Sequence, residues 1–136
     1  MKDSFERVLG DVQKLQEKRH ELESKKVELQ REKLVCETTV KKVECMIWEQ
    51  ILNTKDEKDR PKFSNDKLRD IEFNRIVEDD YNLFVYDNKN YKEWVDAKDS
   101  NKKLLDELYL EIMKIDFDIY GRKTWLAYML KDEKNA

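Results

Sequence analysis

The chain has 136 residues, with 28 Lys or Arg against 31 Asp or Glu and a net charge of −3. Charged types reach 43%, against roughly 25% in an average domain, and two glycines with one proline are too few for a turn-dense β protein or for an α/β fold that breaks every ~10–15 residues. What remains is a single all-α domain over residues 1–136, built from few, long helices.

The first element is a heptad helix over residues 3–53. One register holds Phe5, Val12, Arg19, Lys26, Lys33, Val40 and Ile47, and the register three residues on holds Val8, Leu15, Leu22, Leu29, Cys36 and Val43. Apolar side chains recurring every three and four residues make one stripe, the seam of a coiled coil. Such a helix is ~76 Å long and needs a partner along its length. Arg19, Lys26 and Lys33 occupy three successive seam positions. Their stems can cover the seam while the charged heads reach water. Alternatively, they fix register against acids on the facing helix, with Asp106 and Glu111 as the expected partners in an antiparallel hairpin.

Residues 54–63 hold no apolar side chain apart from Pro61 and Phe63 and read as an exposed loop. A short helix over 64–79 follows. Ser64 or Asn65 can cap it and Asp66 suits its positive end. With Ser64 as cap, Phe63 and Leu68 stand at the staple positions. Leu68, Ile71, Ile76 and Val77 form its apolar side.

Residues 79–90 leave two readings open. Asp79-Asp80 and Asp87-Asn88-Lys89-Asn90 favour a break, whereas Val77, Tyr81, Phe84, Tyr91 and Val95 keep a helical spacing across it. The last helix, starting at 82 or 90 and ending near 131, has a second heptad. Tyr91, Lys98, Leu105, Ile112, Ile119 and Leu126 alternate with Trp94, Asn101, Leu108, Ile115, Arg122 and Met129. Leu104, Tyr109, Met113, Phe117, Trp125 and Tyr128 widen that stripe, so the helix is expected to be buried on more than one side. Asp132 to Ala136 are expected to fray. The fold expected is a long antiparallel helical hairpin or coiled coil with a short capped helix in its connection. Its excess apolar width calls for a homo-oligomer.

Reactive groups are sparse. His20, the only histidine, completes Glu17-x-x-His20, but a di-iron site needs a second copy of that motif. Cys36 and Cys45 would stand ~13 Å apart on one helix, too far for a disulfide, and read as buried thiols of a reducing compartment. The two glycines are too far apart to form a phosphate loop. These residues predict no enzyme, no cofactor and no metal. The most apolar stretch, Cys45 to Leu52, is far short of the ~20 residues of a membrane span, and Met1 to Arg7 lacks the apolar core of a secretion signal. A cytoplasmic protein without a membrane partner is expected.

Recognition is the remaining class of function. Tyr81, Phe84, Tyr86, Tyr91 and Trp94 crowd into fourteen residues among Asp79, Asp80, Asp87 and Glu93. They either pack the bend or form a protein-docking surface. Residues 1–65 carry a charge of +1 and residues 66–136 a charge of −4, without the basic excess of a nucleic-acid binder. A weaker alternative is nucleic-acid association through Lys25, Lys26, Arg31, Lys33, Lys41 and Lys42, as in a recombination or replication accessory. A coiled-coil spacer or assembly subunit is the third reading.

Lys62-Phe63-Ser64-Asn65-Asp66-Lys67-Leu68-Arg69, then Tyr81, then a long charged helix, resembles small phage-encoded coiled-coil proteins. In these an aromatic-Ser/Thr-Asn-acid-x-x-Arg cap opens a helix leading to acid-x-x-Tyr before the terminal coil. The resemblance spans residues 45–120. It implies a mobile-element accessory or inhibitor that docks on a host or phage protein, with no catalytic residue to carry over. The aromatic content after Tyr81 departs from that pattern.

Overall fold

The computed structural model describes residues 2–135. Three α-helices carry most of them: α1 (Lys2–Asn53), α2 (Asp66–Asp79) and α3 (Tyr91–Asn135). Between α2 and α3 come a 3-10 turn (Tyr81–Leu83) and two short strands, β1 (Val85–Tyr86) and β2 (Lys89–Asn90). The long helix pair with a short helix in its connection matches the expected hairpin. Residues 79–90 break the helix rather than continue it. Among the described residues, no helix is long and apolar enough to cross a membrane. Helix α3 continues to Asn135, past the expected fraying point, and Ala136 lies outside the described residues.

Packing divides the chain into two compact units. The first, Met1–Gln30 with Lys103–Ala136, is called the coil unit below. Its core is the heptad seam. Val12 and Leu22 of α1 cluster with Leu108, Ile112, Ile115, Ile119 and Leu126 of α3, and Phe5, Val8, Leu15 and Leu29 pack against them. Each such Leu or Ile contributes about 1.5–3 kcal/mol by leaving water. The polar pairs along this seam run in opposite directions on the two helices. Arg122 donates to Asp11 at 3.1 Å, Arg19 donates to Asp116, and Gln30 donates to the Tyr109 hydroxyl at 3.2 Å. Here the helices are antiparallel.

The second, Arg31–Lys102, is the capped unit. Cys36, Val40, Val43, Ile47 and Ile51 of α1 form its core together with Ile76 of α2, Phe84 and Trp94. Val43 and Ile47 are wholly buried. The buried Thr39 hydroxyl donates to the Val35 carbonyl at 2.7 Å, so it stays satisfied inside α1.

Helix α2 docks through Phe73, whose ring stacks on Trp48 of α1 at 4.6 Å between centroids. Its inner face is Phe73, Ile76 and Val77; Leu68 and Ile71 point to solvent, contrary to the expected apolar side. Of the two expected caps, Asn65 is the one used. Asn65 Oδ1 accepts from the Leu68 amide at 2.9 Å, so Phe63 and Leu68 do not stand at staple positions. Instead Arg69 Nε donates to the Phe63 carbonyl at 3.1 Å, tying the loop to the helix.

The loop before α2 is held by its own polar groups. Asp56 Oδ1 accepts from the amides of Lys58 and Arg60, each at 2.9 Å, and Lys55 bridges Pro61. The connection to α3 is a hairpin with Val85 opposite Asn90 and Tyr86 opposite Lys89. Asp87 and Asn88 both take positive φ, 48° and 68°, the two-residue turn whose twist matches antiparallel strands. Asp and Asn tolerate that region best among residues with a Cβ. Helix α3 then opens on a capping box: Asn90 Oδ1 accepts from the Glu93 amide at 2.9 Å, and Glu93 Oε1 accepts from the Asn90 amide at 3.3 Å.

Candidate docking surface

The aromatic cluster expected at residues 81–94 does come together, mainly as packing. Phe84 and Trp94 are buried core residues, and Tyr91 packs against them. Trp94 Nε1 donates to the Tyr86 carbonyl at 2.9 Å, fastening β1 to the first turns of α3. Tyr81 is half-buried with the Lys92 ammonium 5.4 Å from its ring centroid. Tyr86 keeps a partly exposed ring, with Lys42 Nζ 5.5 Å above it, and Lys89 Nζ lies 4.9 Å from the Trp94 ring. Lysines over aromatic faces at these distances satisfy each other locally. Burial pushes the Tyr91 phenol above its usual range, and the nearby negative charge of Glu44 adds to that. Of the five, only Tyr86 offers much surface. The others close the bend.

The polar seam residues also find partners, but not the expected ones. Arg19 pairs with Asp116 across the coil and with Glu23 along α1 at 3.4 Å. The Asp116 hydrogen bond, and then its charge, raise the Arg19 pKa further above its ordinary value. Lys26 reaches Glu23 at 3.5 Å and lies 4.8 Å from the Tyr109 ring centroid. Lys33 pairs with Glu37 at 3.6 Å. Asp106 and Glu111 are exposed and, among the described residues, make no ion pair with these bases. Long side chains at seam positions turn toward acids one turn along their own helix; of the three, Arg19 alone forms an ion pair with α3, and Lys26 meets α3 only at the Tyr109 ring.

His20 is exposed, and its carbonyl accepts from the Ser24 hydroxyl at 3.2 Å. Cys36 is buried and lies 3.5 Å from Asn101 Nδ2. Cys45 is exposed, contrary to expectation, because it falls two residues past Val43 on the outer side of the heptad.

The most prominent open surface lies on α3 in the coil unit. Phe117 is 80% exposed, Tyr120 71%, Tyr128 68% and Met113 64%; Leu104, Tyr109, Leu110, Trp125 and Leu130 are exposed as well. The expectation that this helix is buried on more than one side is therefore wrong within the chain. Helix α1 covers one face of α3, and among the described residues of the coil unit no third element covers the other. A shallow cleft of about 400 Å³ lies beside this face, lined by Val8, Phe117, Asp118, Gly121, Arg122 and Trp125. The signal for this surface was present in the sequence as a second 3-4 repeat, Leu110, Met113, Phe117, Tyr120, Thr124 and Ala127. It stands five residues out of phase with the seam, or about 140° around the helix. Met113 and Phe117 of this repeat, expected as a widening of the seam, stand exposed on its far side.

Apolar area of this kind, rich in aromatic residues and rimmed by Lys114, Asp116, Asp118 and Lys123, can hold another polypeptide by burial. The chain matches no protein family, no curated protein and no solved structure.

Proposed function

We propose that the protein is a non-catalytic helical binding protein that works by docking on another polypeptide, with the outer face of α3 as its docking surface. The observation that carries this reading is the exposure of Phe117, Tyr120, Tyr128 and Met113 on one helix face. Surfaces of monomers rarely leave aromatic residues contiguous and open unless they bind something. The resemblance of residues 45–120 to phage-encoded coiled-coil proteins supports a mobile-element accessory or inhibitor as its setting. Nucleic-acid association is the weaker reading. Lys26 and Lys33 of its basic stripe are already engaged by Glu23 and Glu37, which leaves fewer cations for phosphate.

A photo-crosslinking residue placed at Phe117, at Tyr120, or at Gln13 as an exposed control tests the reading in cells. Protein adducts at the two α3 positions, with none at Gln13, are expected. The absence of protein adducts at both α3 positions, or equal yields at all three, overturns it.

A further inference from the structure

Helix α3 carries two seams. Leu108, Ile112, Ile115, Ile119 and Leu126 form the one that α1 fills, and Leu105 continues it as a buried residue. Leu110, Met113, Phe117, Tyr120, Thr124 and Ala127 repeat the same spacing on the far side, and all six are exposed. Thr124 fits among them because its hydroxyl donates to the Tyr120 carbonyl at 2.8 Å, which leaves its methyl group for packing. A repeat of alternating three and four residues is complementary to another helix with that repeat, and α3 itself supplies one.

We infer that the outer stripe of α3 is a second coiled-coil seam, closed by the same stripe of a second copy running antiparallel. This rests on the reading of that face as a docking surface and names its occupant.

The orientation follows from the flanking residues. With the two-fold axis between Phe117 and Tyr120, Phe117 faces Tyr120 of the second copy, Met113 faces Thr124, and Leu110 faces Ala127. On one flank Asp116 then meets Lys123 of the second copy, and symmetry makes that contact twice. On the same flank Tyr109 meets Leu130, apolar against apolar. On the other flank Lys114 passes Gly121 and Glu107 passes Tyr128. A parallel pairing sets Asp116 beside Gly121 and Lys123 beside Tyr128, so neither charge finds its opposite. Flanking charges are what choose orientation in coiled coils.

Lys123 is exposed and, among the described residues, takes part in no ion pair. Asp116 already accepts from Arg19, but its side chain is 48% exposed, and a carboxylate has acceptor sites for a second donor. Phe117, Tyr120, Met113 and Leu110 are each more than half exposed, so the stripe has apolar surface to give to an interface, which asks about 800 Å² of each partner when standard in size.

Sedimentation of the purified full-length chain from low to high micromolar concentration tests the inference. The expected result is reversible assembly to twice the 16.6 kDa chain mass. Phe117→Glu with Tyr120→Glu should leave a monomer of unchanged helix content, since both side chains are exposed. Lys123→Glu should weaken assembly by about tenfold or more, because two Asp–Glu contacts replace two ion pairs. In a Cys45→Ser background, a mixture of Met113→Cys and Thr124→Cys chains should form a cross-chain disulfide that neither forms alone.

A chain that stays monomeric throughout overturns the self-pairing, while the crosslinking experiment still decides whether the face docks another polypeptide. A dimer that survives the Phe117 and Tyr120 substitutions overturns it as well. A disulfide formed by either single variant alone, without the mixed product, overturns the antiparallel register.

Discussion

The two units use the same two helices and finish them differently. In the capped unit, α2 and residues 81–90 lie against the helix pair, and aromatic residues from those segments point inward: Phe73 onto Trp48, and Phe84 beside Trp94. In the coil unit two helices meet, and none of its other described residues lies over them. Every seam side chain there keeps some exposure, and the aromatic residues of α3 stand outside. Two helices in contact bury one stripe of each. A complete core needs a third layer, and where the chain does not supply one, the apolar surface stays available to another chain.

The contrast predicts unequal responses to truncation. Trp94→Ala should cost about 3–5 kcal/mol, because it empties a closed core and removes the indole bond that holds β1 to α3. Urea unfolding measures this; a cost under ~1 kcal/mol would mean that the capped core is not closed. Within the coil unit, Ile112→Ala should cost about 2–3 kcal/mol. Phe117→Ala, only five positions along α3 but on its other side, should change the stability of the dilute chain by less than about 0.5 kcal/mol. If the two variants lose equal stability in dilute solution, the outer face is covered within the chain and the contrast between the units fails.

A smaller effect sharpens the account of the third layer. Asn65→Ala should lose about 1 kcal/mol as the Leu68 amide gives up its acceptor, whereas Ser64→Ala should lose almost nothing. A loss at Ser64 with almost none at Asn65 would place the cap one residue earlier, with Phe63 and Leu68 restored as a staple. Amide exchange of α2 reports this directly, because fraying at its first turn loosens the layer over Ile47 and Ile51.

How much of this was legible beforehand depends on the range of the interaction. The 3-4 repeat of α1 and the seam of α3 are written residue by residue, and they foretell the hairpin and most of both cores. The hairpin at Val85 to Asn90 was harder to read, because Asp-Asn is a weaker turn signal than Asn-Gly and the aromatic spacing across it mimics a helix. The capping box Asn90-x-x-Glu93 was the cue that α3 begins afresh. Ion-pair partners were not legible. Whether Lys26 turns to Glu23 or to Asp106 depends on the rotamers of a long chain at the protein surface, which a heptad does not encode. The outer stripe of α3 was visible as apolar residues, but its exposure follows from the absence of a third layer, a property of the assembled unit.

The glycines compare the faces of the coil unit on a finer scale. A Cβ built at Gly10 or at Gly121 meets nothing within 4 Å. Either change to Ala should therefore stabilise the chain by about 0.4–1 kcal/mol through lower unfolded-state entropy, read as a rise in the thermal midpoint. A gain at Gly10 alone would mean that the space over Gly121 is used by something outside the chain.

The mildest expected effect belongs to the capped unit and appears only in alkali. Burial, reinforced by the charge of Glu44, raises the Tyr91 phenol pKa in the folded chain, so the native state favours the neutral phenol more than the unfolded state does. The stability this contributes is complete below the unfolded value near ~10 and is lost as pH rises through the higher folded value. Unfolding midpoints should therefore fall with pH in that alkaline window, and Tyr91→Phe should flatten the fall while leaving the midpoint at neutral pH nearly unchanged. A Phe variant with the same alkaline slope would show that Tyr91 is open to water in the folded chain. The seal of the hairpin and of Phe84 over the capped core would then be looser than its buried neighbours imply.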